Sequence, residues 1–262
     1  MIKFFRRIRQ GLLSQNRFKK YLVYAIGEII LVVIGIMIAL SINKQYDYIK
    51  ERKEEANILK SIQSDLLASK SKIEKVIKRQ ESSVRKTDSL INLFEYYQSG
   101  VNRDSLVKSN EEKIGNYLNK GVFQWQRAEP ITGTYDALIG SGKTELILSS
   151  ELKRKLAEYS TIIKSGFEDQ GTATNILTLI VEKQSKYVGA GVWKFGKKIR
   201  NESFIYTDKR SRNKAIHSLL NDHSFEGLLI PHRSLETLRL YNQKRLLKFT
   251  EELLDLVKKE IQ

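Results

Sequence analysis

Residues 21–42 read YLVYAIGEIILVVIGIMIALSI, 22 residues with a single charge, Glu28. A helix rises about 1.5 Å per residue, so the stretch covers roughly 33 Å, enough for a bilayer core of about 30 Å. It reads as a transmembrane helix. It divides the chain into a basic tail over residues 1–20, the span over 21–42, and a domain over 43–262. The last part is long enough to bury a core of its own.

Charge is placed unevenly around the span. The chain carries a net +16, and residues 1–20 hold seven Lys or Arg and no acid. Positive residues near a spanning helix stay cytoplasmic. Six lie within fifteen residues on the N-terminal side and four on the C-terminal side. The expected orientation is therefore a cytoplasmic N-terminus and a periplasmic domain, anchored in a bacterial inner membrane. The 20-residue tail is then too short to house an output enzyme. A cleaved signal peptide is the competing reading, with Ala39-Leu40-Ser41 as a small-x-small site, but signal h-regions run only about 7–15 residues.

Glu28 is the residue of interest within the span. A carboxyl group in hydrocarbon is costly, and such groups mark functional contacts by default. At about 100° per residue, Gly35 and Ala39 fall within about 20° of Glu28 on the helix. Small residues allow close helix approach and a polar group can bond across the contact. One reading is that this face meets a second copy or another membrane protein. The other is that Glu28 is neutral or snorkels toward Lys20.

The run Lys20-Tyr21-Leu22-Val23-Tyr24-Ala25-Ile26-Gly27-Glu28-Ile29 continues through Val32-Val33-Ile34-Gly35-Ile36 to Ala39-Leu40 and Ile42-Asn43. It resembles the opening of an uncharacterised family of single-pass proteins found in Bacteroidota, a domain of unknown function. Gly133-Thr134-Tyr135-Asp136-Ala137-Leu138-Ile139 and Ser141-Gly142-Lys143 resemble the same family. The resemblance covers residues 17–43 and a shorter segment at 131–148. Members often continue Asn-Asn-Trp-Asn after the helix, where this chain has Asn43-Lys44-Gln45-Tyr46. The resemblance implies an inner-membrane anchor and a helical exported domain, and it supplies no activity.

The rest of the chain reads as all-α. Two prolines, no cysteine and 29% charged residues fit long helices, and the absence of cysteine excludes disulfides and thiolate metal sites. Between Gly35 and Gly100 there is neither Gly nor Pro. Leu59, Ile62, Leu66, Ile73, Val76, Val84, Ile91 and Phe94 recur near a three-four alternation that Ser69, Gln80 and Thr87 interrupt. That pattern is an amphipathic helix running to about Tyr97, nearly continuous with the span. Glycines punctuate 99–145, with short helices expected at 111–119 and 134–139 and an extended piece at 122–125. Ser149 or Ser150 caps a helix that places Leu152, Leu156, Tyr159 and Ile163 on one face. A helix over 175–187 turns Ile176, Leu179 and Ile180 inward. Asp208 caps a helix to Leu220. Pro231 begins the last helix, with Leu235, Leu238, Leu246, Phe249, Leu253 and Leu256 on one stripe. The architecture expected is an antiparallel helical bundle with Gly-rich loops.

Three motifs point toward chemistry. Ala137-Leu138-Ile139-Gly140-Ser141-Gly142-Lys143-Thr144 fits a relaxed nucleotide-binding loop, which needs a buried strand before it and a helix starting at Lys-Thr. The bland reading is a Gly-Ser-Gly turn ending a helix. His217, His223 and His232 are spaced six and nine apart, which matches no metal pattern, so they read as surface or interface residues. In 187–206, Trp193, Phe195, Lys197 and Lys198 suit a lipid or glycan surface, or else plug one end of the bundle. No catalytic constellation, cofactor or nucleic-acid partner is expected. The function expected is interaction, scaffolding or sensing, with a nucleotide-binding enzyme or a lipid/glycan module as alternatives.

Overall fold

In a computed structural model of the chain, the structure describes residues 18–124, 127–166, 169–188 and 209–261. Every regular element among them is helical, and no strand occurs among the described residues. In chain order they are α1 (Phe18–Gln98), α2 (Arg103–Tyr117) with a π-helical turn (Leu118–Val122), α3 (Gly133–Gly140), a 3-10 turn (Lys143–Leu146), α4 (Ser150–Ser165), α5 (Gln170–Val188), α6 (Lys209–Leu220) and α7 (His223–Ile261). The chain divides into two units, Met1–Asn57 and Ile58–Gln262, and α1 supplies residues to both.

In the first unit, α1 is apolar on every side over residues 22–42, with Glu28 the one charge. Fourteen large apolar side chains between residues 22 and 42 stand exposed. Among the described residues α1 is the one helix long and apolar enough to cross a membrane, and none of that apolar window is buried.

The second unit is built on α1 and α7. The ion pairs Lys70–Glu251, Glu81–Lys244 and Asp88–Arg233 ascend in one helix as they descend in the other, so the two run antiparallel there. Their facing stripes bury two separate apolar cores. One joins Leu59, Ile62, Leu66, Ile73 and Ile77 of α1 to Leu246, Phe249, Leu253 and Val257 of α7, with Leu138 of α3 and Leu152, Leu156 and Tyr159 of α4. The other joins Leu90, Phe94 and Tyr97 to Phe225 and Leu229, with Val107 and Ile114 of α2, Ile180 of α5 and Ile216, Leu219 and Leu220 of α6.

Local chemistry sets the connections. The Ser149 hydroxyl accepts from the Leu152 N–H at 3.3 Å, so Ser149 is the cap of α4. Ser69 does not merely interrupt the α1 stripe. Its hydroxyl accepts from the Ile131 N–H at 2.7 Å, while Asp65 accepts from Thr134 N–H at 3.0 Å at the start of α3. Gly121 lets the π turn lie against α1, since a Cβ there would meet Lys86 Cβ at 2.9 Å and Thr87 N at 3.2 Å.

Several expectations need correction. The first short helix begins at Arg103 rather than 111, and Val122 closes a π turn that Phe123 caps instead of opening an extended piece. Pro231 does not begin the last helix. The helix starts at His223 because Asp222 accepts from Ser224 N–H at 3.0 Å and Phe225 N–H at 3.1 Å, and because Phe225 and Leu229 are buried. Cap and core together outweigh one missing backbone bond at an exposed proline. Leu179 and Leu238 face outward, half-exposed, and Leu235 is only partly buried. The inward positions beside them are Ile180 on α5 and His232, Glu236 and Arg239 on α7. Asp208 lies outside the described residues.

Candidate functional site

Between the two apolar cores lies a buried polar layer. On α7 it comprises His232, Glu236, Arg239 and Gln243, spaced four, three and four apart, so all fall on one face. On α1 it comprises Gln80, Ser83 and Thr87, in phase with Ile73 and Ile77 before them and Leu90 and Phe94 after. Gln184 of α5 is buried as well. Glu236 and Arg239 are both 0% exposed.

Each polar group needs a partner, because burial of an unpaired one costs about 1–3 kcal/mol. The Gln80 amide donates at 3.3 Å to both the Glu236 carboxylate Oε2 and the Glu236 carbonyl. The Gln243 amide donates to Gln80 Oε1 at 2.7 Å. Arg239 donates from Nε to Asp169 Oδ2 at 3.0 Å and from a terminal nitrogen to Gln170 Oε1 at 3.0 Å, at the N-terminal end of α5. Ser83 donates to the Gly121 carbonyl at 2.6 Å. That carbonyl also accepts from the Gln124 N–H at 3.1 Å, so it takes two hydrogen bonds at the end of the π turn. Glu236 Oε1 has no hydrogen-bond partner among the described residues.

The electrostatics follow from burial. Burial raises Glu236 to about 7, against the opposing pull of the Gln80 hydrogen bond and the Arg239 charge. Burial lowers His232 to about 4, helped by the Arg239 charge, while the Val122 backbone beside it favours the charged ring. Between about pH 4 and 7 the layer is therefore held near charge neutrality, with the Arg239 guanidinium matched by Asp169.

The residues singled out in the sequence fall elsewhere. Glu28, Gly35 and Ala39 all lie in α1, with Gly35 and Ala39 exposed and Glu28 partly so, and open space surrounds Gly35. Trp193, Phe195, Lys197 and Lys198 lie outside the described residues. The 137–144 segment is a helix end: Ser141 and Gly142 N–H close the last turn of α3 onto Ala137 and Ile139 carbonyls, and Gly142 takes φ +70°. Among the described residues no strand precedes it, and a four-residue 3-10 turn follows where a phosphate-binding loop opens an α-helix. His223 is exposed beside Glu226, and His217 bridges the Tyr97 hydroxyl at 2.8 Å and Asp104 at 3.2 Å. His232 is instead interior, a correction to its reading as a surface or interface residue. Among the described residues no group of three His, Cys, Asp or Glu is placed to hold a metal ion.

The polar layer had a readable signal: polar residues that keep the phase of an apolar stripe on two helices at once. Comparison of the chain with known protein families, with curated proteins and with solved structures finds no match.

Proposed function

We propose that the chain is a single-pass inner-membrane protein with no catalytic role, whose helical domain is periplasmic and forms an antiparallel bundle that interacts with other proteins or senses a signal. The observation that carries this reading is the collar of exposed apolar side chains over residues 22–42, which water would solvate poorly and a lipid phase would cover. The seven basic residues before it support a cytoplasmic N-terminus, and the resemblance of residues 17–43 to single-pass Bacteroidota proteins supports an inner-membrane anchor. The three α1–α7 ion pairs and the two cores support the bundle.

Glu28, Gly35 and Ala39 offer the face through which another copy or a different membrane protein would meet the span. In this reading signals pass between helices within the lipid, and nucleic acid is not a partner. The nucleotide-binding alternative draws no support from the 137–144 segment, whose local fold is a helix end.

The test is cell fractionation combined with topology reporters fused after Gln262. The reading expects carbonate-resistant membrane association, an active periplasmic phosphatase fusion and a dark cytoplasmic fluorescent fusion. Release of the full chain into the soluble fraction, or the reverse reporter pattern, overturns it. Pull-down from native membranes then identifies the partner.

A further inference from the structure

The apolar surface of α1 does not stop where the hydrophobic run ends. Tyr46, Tyr48 and Ile49 stand 69%, 52% and 58% exposed, on a part of α1 that precedes the first core residue, Leu59. About 100° per residue puts Ile42, Tyr46 and Ile49 within about 60° of one another, while Tyr48 lies about 160° from Tyr46. Apolar bodies on opposite sides of one helix do not suit a protein partner, which meets a single stripe. They suit a surrounding that is the same in every direction.

Lys44, Lys50, Arg52 and Lys53 interleave with these residues, against Asp47 and Glu51. The Arg52 guanidinium lies 5.5 Å from the centre of the Tyr48 ring. Amphipathic aromatic rings gather at headgroup level, and long basic side chains reach phosphate from there. Length agrees. Residues 21–49 rise about 42 Å, against roughly 40–45 Å for a bilayer with its headgroups. Lys19, Lys20, Tyr21 and Tyr24 carry the same residue types at the other end of that length.

We infer that residues 44–53 form a second membrane-contacting belt, in which Tyr46, Tyr48 and Ile49 sit in the phospholipid headgroup layer and Lys50 and Lys53 bind its phosphates. The inference rests on the transmembrane reading of 21–42 and moves the outer boundary of apolar and aromatic lipid contact from Ile42 to Ile49.

The native chain has no cysteine, so single-cysteine variants report cleanly. Met37→Cys, Gln45→Cys, Ile49→Cys and Asn57→Cys are labelled with an environment-sensitive dye in the full chain, reconstituted in phosphatidylcholine–phosphatidylglycerol vesicles. The belt expects several-fold stronger quenching of positions 45 and 49 by a headgroup spin label than of position 57. Position 37 answers to an acyl-chain label, and aqueous iodide reaches only position 57. Iodide reaching 45 and 49 as freely as 57, with 37 still deep, overturns the belt and leaves the span standing. Iodide reaching 37 overturns both. Shielding of 45 and 49 from both quenchers means that protein covers them and also overturns the belt.

Discussion

Glu236 and His232 lie one helical turn apart in the same buried layer and titrate in opposite senses. Burial raises Glu236 to about 7, so between pH 4.5 and 7 the folded chain holds a proton that the unfolded chain has released. Stability from this group is complete below about 4.5 and is lost as pH rises to about 7. Burial lowers His232 to about 4, so between pH 4 and 6.5 the unfolded chain holds the extra proton and stability rises with pH. Over the shared window the two slopes oppose each other. Denaturant titrations of Glu236→Gln are expected to show stability climbing from pH 4 to 6.5, and those of His232→Phe to show it falling from pH 4.5 to 7, with the parent flatter than either. Identical slopes in all three would refute the opposition. Arg239→Met leaves Asp169 without its guanidinium and removes a donor to Gln170, and is expected to lower stability by about 3 kcal/mol. Arg239→Lys is expected to recover only part of that, because an ammonium cannot span both partners in one plane.

At the scale of the element, two contrasts are decisive. Ile180 and Leu179 are neighbours on α5, yet Ile180 is 0% exposed and Leu179 is half-exposed. Ile180→Ala is expected to cost about 2–5 kcal/mol and Leu179→Ala within about 0.5 kcal/mol, by chemical denaturation. Gly121 of the π turn lies against α1, and Gly121→Ala drives a methyl against the Lys86 side chain and the Thr87 backbone. Because backbone must give way there, a loss of about 1–3 kcal/mol is expected. Gly133→Ala, with open space around it, serves as the control. The last helix shows how a cap can override a breaker. Asp222 is pushed up by burial but drawn down to about 2 by hydrogen bonds from Ser224, Tyr187 and the Phe225 N–H, so it stays ionised at the start of α7 across ordinary pH. Tyr187 is raised to about 12 by burial and by its hydrogen bond to the Asp222 carboxylate. The stability that Asp222 contributes is present above about pH 3.8 and lost as pH falls through about 2.

For the whole molecule, the proposal of a membrane anchor makes a simple demand: the full chain should need detergent to leave the membrane, while a variant with Ile30, Val33 and Met37 each changed to Asp should be released or degraded. Retention of that variant in carbonate-washed membranes would defeat the anchor. How much of this architecture was legible differs by region. The apolar run 21–42 could be read without a fold because a lipid-facing helix needs no pattern, only length and composition. The α1 and α4 stripes were legible because periodicity of apolar residues reports one buried face. The start of α7 was not, since Pro231 is the louder local signal and Asp222 gains its force only once Phe225 and Leu229 find a core. Gln80 was legible as a polar break in the α1 stripe, whereas Glu236, Arg239 and Gln243 were not, because charged and amide side chains are assigned to solvent by default. By itself, then, the order of residues determined that the chain is helical and that one segment is fit for lipid, because both follow from local hydrogen bonding and the cost of wetting apolar surface. Only the tertiary structure decided which polar residues are interior, because a buried carboxyl or guanidinium is tolerable only when residues distant in the chain, such as Gln80 and Asp169, arrive to meet it.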